Sequence, residues 1–106
     1  MMGDSSYDAA HHESMLAQQG MVFHVRLGST PTTGYLWQLQ ALPSGLVSEG
    51  SAVEKPLGSE QPGDSVVQVF QFRAITVGEY ELVFVLKREW EREPIRTKVV
   101  SVTVRN

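Results

Sequence analysis

Gly78-Glu79-Tyr80-Glu81-Leu82-Val83-Phe84-Val85-Leu86-Lys87 is the stretch that decides the fold. Tyr80, Leu82, Phe84 and Leu86 alternate with Glu79, Glu81, Val83, Val85 and Lys87. That period of two places every second side chain on one face, as a half-buried β-strand requires. The same period runs through Phe23, Val25 and Leu27, through Tyr35, Trp37 and Leu39, through Phe70 and Phe72, and through Val100, Val102 and Val104. Residues 15–19 form a weaker strand candidate and residues 47–54 a further short one. Gly and Pro punctuate the gaps at Gly28, Pro43, Gly45, Pro56, Gly58, Pro62, Gly63, Gly78 and Pro94, and no useful helical period appears. Short strands separated by turn signals predict an all-β protein, a sandwich or barrel.

Two details point to an immunoglobulin-like antiparallel β-sandwich of seven to eight strands. Trp37 falls on the third strand, where such domains bury a Trp. Tyr80 opens the penultimate strand two residues before an inward Leu82, the spacing of a tyrosine corner. Phe23, Val25, Trp37, Leu39, Phe70, Phe72, Tyr80, Leu82, Phe84, Leu86, Val100 and Val102 are the expected core.

The chain has 106 residues, which is one domain with a modest core. Residues 1–13 are polar and read as a disordered arm, and residues 14–106 as the folded domain. His11 and His12 in that arm read as inert rather than metal-binding, and no cofactor is expected. The net charge is −3, with bases interleaved among acids, so no nucleic-acid surface is expected. There is no cysteine, which excludes disulfides, thiolate metal sites and a cysteine nucleophile. No apolar run approaches a membrane span, and residues 1–19 lack the basic and apolar regions of a signal peptide. The chain as it stands is therefore expected to be soluble and untargeted, or exported if a leader has been removed.

With strands lettered A to G, the B–C, D–E and F–G loops of such a sandwich share one end. The B–C loop, Thr30-Pro31-Thr32-Thr33-Gly34-Tyr35, combines a rigid Pro, two hydroxyls and a Gly, with Trp37 two residues on. Pro31 fixes its own φ and extends Thr30, and Gly34 admits a φ that a Cβ would resist. A loop shaped in advance loses little freedom on binding. The D–E loop, residues 55–63, holds two Pro and two Gly. The F–G loop, residues 88–94, sets Trp90, a residue type favoured as an interface anchor, among charges.

On these residues the chain resembles the chagasin-type inhibitors of papain-family cysteine peptidases, over about residues 14–106. The B–C motif of that family reads Asn-Pro-Thr-Thr-Gly-Tyr/Phe, commonly with a Trp two residues on; here Thr30 replaces the Asn. Its F–G motif reads Arg-Pro-Trp/Phe, met here by Arg88-Glu89-Trp90 with Glu89 for Pro. Its D–E motif is Gly-x-Gly-Gly, of which Leu57-Gly58 and the more distant Gly63 survive. The resemblance implies a sandwich whose three loops occlude a peptidase cleft. Thr30, Pro31, Thr32, Thr33 and Gly34 would cross the catalytic centre, with Tyr35 completing that motif. Trp90 and Arg88 would pack to one side, and Leu57 and Gly58 would line the opposite wall.

The expected function is reversible competitive inhibition of a papain-like cysteine peptidase by a protein that is a monomer when free. The alternative is a non-inhibitory immunoglobulin-like binding or adhesion module for a protein or carbohydrate, since an exposed Trp90 stacks on a sugar as readily. An enzyme is not expected. There is no nucleophile motif or phosphate-cradling loop, and His11, His12 and His24 fall in the arm and on the polar side of a strand.

Overall fold

The computed structural model describes residues 12–30, 33–54 and 66–106. Among them run seven strands: β1 (His12–Gln18), β2 (Val22–Ser29), β3 (Tyr35–Ala41), β4 (Leu46–Glu54), β5 (Val66–Ala74), β6 (Gly78–Arg88) and β7 (Arg96–Arg105). They form a four-stranded sheet in the order β1-β7-β6-β3 and a three-stranded sheet in the order β2-β5-β4. The two sheets face each other as an immunoglobulin-like sandwich, with strands A to G as β1 to β7.

The alternating residues account for the packing. From the larger sheet Trp37, Leu82, Phe84, Leu86, Val100, Val102 and Val104 face inward. Phe23, Val25, Leu27, Leu46, Phe72 and Ala74 meet them from the smaller one. Phe84 binds the layers together, with its ring centroid 5.0 Å from Phe70 and 6.3 Å, edge-on, from Phe72. Such aromatic contacts add to the area that each ring buries. Leu39, Phe70 and Tyr80, expected in the core, are half-buried against its margin. Leu27, Leu46, Ala74 and Val104 join it. Leu46 and Ala74 are paired with each other where β4 begins and β5 ends, too near the strand ends for alternation to reveal them.

Two findings refine the sequence reading. The sandwich is antiparallel except at one edge, where β1 runs parallel to β7 with Met15 opposite Val102. Because β1 and β2 lie in different sheets, they cannot close a hairpin, and β1 takes the free edge of β7 instead. β1 also starts at His12, so the last two residues of the stretch 1–13 read as an arm are strand; residues 1–11 lie outside the described residues. His12 is therefore a strand residue, with its Nε2 2.9 Å from the Ser101 hydroxyl.

The tyrosine corner is formed. The Tyr80 hydroxyl donates to the Thr76 carbonyl at 2.9 Å. Gly45 lies against the Tyr80 ring, in space that any side chain at position 45 would occupy. The Ile75 and Thr76 N–H groups both donate to the Gly45 carbonyl, at 3.0 and 3.2 Å. This pole of the sandwich is thus closed by backbone bonds around one phenol.

Candidate functional site

Strand register brings the loop anchors together at the opposite pole. In the larger sheet Tyr35, the first residue of β3, pairs with Arg88, the last of β6. In the smaller sheet Ser29, the last residue of β2, pairs with Val66, the first of β5, and Glu54, the last of β4, pairs with Val67. The strand ends that lead into and out of the β2–β3, β4–β5 and β6–β7 connections therefore lie at one end of the molecule. Pro31, Thr32, Leu57 and Gly58 lie outside the described residues.

The connection from β2 to β3 crosses from one sheet to the other, and Trp37 ties it down. The Trp37 indole is buried in the core, and its Nε1–H donates to the Gly28 carbonyl at 2.8 Å. The Gln68 side chain spans the sheets to the Trp37 backbone, accepting its N–H at 2.8 Å and donating to its carbonyl at 3.1 Å. That amide satisfies two main-chain groups on the open edge of β3.

The loop itself is closed by its own threonines. The Thr33 N–H and hydroxyl both donate to the Thr30 carbonyl, at 3.1 and 2.7 Å. The same hydroxyl lies 3.4 Å from the Tyr35 N–H, which donates to it. Thr33 thus uses its hydroxyl within the loop, as Ser and Thr do in turns. Gly34 then reverses the chain at φ 85°, a conformation that L side chains rarely adopt. A Cβ at this position would sit 3.2 Å from the Trp90 ring and 3.5 Å from the Arg88 stem. Glycine here permits both the turn and the close approach of the neighbouring loop.

Arg88 joins the two loops. Its Nε–H donates to the Thr33 carbonyl at 3.0 Å, across 55 residues of sequence. Its guanidinium lies 4.4 Å from the centroid of the Tyr35 ring and 6.0 Å from that of Trp90. An Arg plane suits this task, since it donates in its plane and stacks on its faces. Trp90 is 74% exposed, far from the burial usual for Trp. Its ring edge rests by Gly34 and the rest meets solvent, so the indole stands out beside the threonine loop.

Thr30, Thr33, Gly34, Tyr35, Arg88 and Trp90 are thus one contiguous surface. Two residues that alternation and motif did not single out belong to it. Lys87 donates from Nζ to the Glu91 carbonyl at 2.7 Å, and the Glu91 carboxylate stands 3.5 Å from Arg88 Nη1. The interleaved charges of residues 87–93 are their signal in the sequence, one that suits any solvated loop equally well. Among the described residues, no group of three or more His, Cys, Asp or Glu is placed to hold a metal ion. The surface offers an indole, a guanidinium and main-chain polar groups, which suits recognition rather than bond-making.

Residues 17–104 match the family model of the chagasin family of peptidase inhibitors. Among solved structures, the chain is similar to the cysteine protease inhibitor EhICP2 from Entamoeba histolytica, at 21% identity and a TM-score of 0.73, over 90% of this chain and 88% of that one. It is also similar to amebosin, at 25% identity and a TM-score of 0.63, over 87% of this chain and 88% of that one. No curated protein matches the sequence.

Proposed function

This chain belongs to the chagasin family of peptidase inhibitors, and from that membership we propose that it is a reversible, competitive inhibitor of papain-like cysteine peptidases. It is an inhibitor, not an enzyme. The observation that carries the proposal is the contact of Gly34 with Trp90: an exposed indole and a stiff threonine turn form one wedge at one pole.

In the proposed mode residues 30–34 lie across the catalytic centre of the peptidase. Main-chain groups of this loop hydrogen-bond near its thiolate–imidazolium pair. The Thr33 hydroxyl and carbonyl already serve the loop and Arg88, so they hold its shape rather than reach for the enzyme. A loop held this way offers no scissile carbonyl in an attacking geometry, and the inhibitor stays uncut. Trp90, backed by Arg88, packs on an aromatic surface beside the centre. Leu57 and Gly58 line the opposite wall. Internal bracing lowers the ordering cost on binding, which favours tight complexes from a standard-sized interface.

The free protein is proposed to be a monomer. The exposed edge strand β4 carries a register break between Ser48 and Ser51 and the carboxylates of Glu49 and Glu54. Bulges and charges of this kind discourage edge-to-edge pairing.

Titration of papain and of a cathepsin L-type enzyme is the test. Activity is expected to fall as the protein is added, to return with excess substrate, and the inhibitor to run intact on a gel afterwards. Full peptidase activity in molar excess of the protein would overturn the reading and restore the adhesion or carbohydrate-binding alternative.

A further inference from the structure

The turn that presents Trp90 is made of Arg88, Glu89, Trp90 and Glu91, closed by the Glu91 N–H donating to the Arg88 carbonyl at 3.0 Å. No non-glycine residue among those described has a positive φ. Type II, I′ and II′ turns each need one at a central position, so this is a type I turn with Glu89 at its second position. Proline is favoured there because its ring presets φ. Glu89 has no such ring, and its N–H donates to no partner among the described residues. The turn is instead held at its fourth residue, by its own first residue and by Lys87 just before it. The Glu91 N–H is held by Arg88, its carbonyl by Lys87 Nζ at 2.7 Å, and its carboxylate lies 3.5 Å from Arg88 Nη1.

We propose that Lys87 and Glu91 are positioning residues, a polar clamp that does the conformational work of a proline ring and keeps Trp90 and Arg88 in their binding arrangement. The proposal rests on the inhibitory reading for its consequence but not for its geometry. Lys87 Nζ supplies a charged donor to a main-chain carbonyl, stronger than a neutral bond. The Arg88–Glu91 pair, about one-third exposed on each side, adds less. Releasing the clamp would leave Trp90 to be ordered at the moment of binding, which lowers affinity without removing any contact with the peptidase.

The test is a cycle between Lys87→Met, which keeps the apolar stem and removes the donor, and Glu89→Pro. Arg88 ends a β-strand, so its extended backbone accepts a following proline. Lys87→Met is expected to speed amide exchange at Glu91 and to weaken inhibition about tenfold at an unchanged melting temperature. Adding Glu89→Pro is expected to restore both. Glu91→Gln is expected to weaken inhibition only about two- to threefold. Unchanged exchange at Glu91 in Lys87→Met overturns the clamp. So does a loss of inhibition that persists once Glu89→Pro has restored slow exchange, because Lys87 then acts directly on the peptidase. If the unaltered protein inhibits nothing, the proposed function fails, and amide exchange alone still decides the clamp.

Discussion

The two poles of this sandwich are tied by different means. At the pole of the connections 19–21, 42–45 and 75–77, main-chain groups bond one another across the connections, the Gln19 and Arg73 side chains add to them, and the Tyr80 hydroxyl closes the corner. At the pole of residues 29–35 and 88–95, side chains make the distinctive ties: Trp37 to Gly28, Lys87 to Glu91 and, across 55 residues of sequence, Arg88 to Thr33. Backbone closure leaves little room for sequence to vary the shape of a pole. Side-chain closure lets a few residues set the shape of the proposed binding surface while the sheets stay as they are. Stability and binding should therefore separate by pole.

Trp37 is where that separation should fail, because its ring is core and its indole N–H ties down the end of β2 that leads into the proposed binding loop. Trp37→Ala is expected to destabilise the fold by roughly 3–5 kcal/mol, from lost burial and the cavity left behind. A thermal melt checks this, and an unchanged melt would mean that the core is not built around this residue.

Trp90→Ala should show the separation most cleanly. Inhibition is expected to weaken by about 2 kcal/mol or more, as at interface anchors, while stability changes by less than ~0.5 kcal/mol. Inhibition constants paired with melts test it. A lowered melting temperature with intact inhibition would reverse the comparison.

Tyr80→Phe probes the far pole. It removes the hydroxyl bond to Thr76 and keeps the ring over Gly45, so a loss of about 1 kcal/mol in stability is expected. Inhibition should not change. Denaturant unfolding and the peptidase assay together decide whether the poles communicate.

Much of this was legible in the chain. The strands announce themselves through Phe23, Val25, Phe72, Leu82, Phe84, Leu86, Val100 and Val102, since burial of one sheet face imposes a local period. The corner was legible from Tyr80 and Gly78, and the loop motif from Gly34 and Trp37. Other features were not. β4 is exposed along all but its first residue, so apolar periodicity says little about it. The parallel pairing of β1 depends on which edge is free, a property of the assembled sheet. Lys87 and Glu91 look like ordinary solvated charges until the turn between them is seen to need holding.

By itself, then, the sequence determined the strands, the turns between them and the left-handed position at Gly34, because each follows from the backbone preferences and side-chain period of neighbouring residues. Only the tertiary structure decided that Thr33, Gly34, Arg88 and Trp90 become one surface. That contact spans 55 residues and depends on the register that sets Tyr35 opposite Arg88, and register is fixed by burial of whole sheet faces rather than by any local choice.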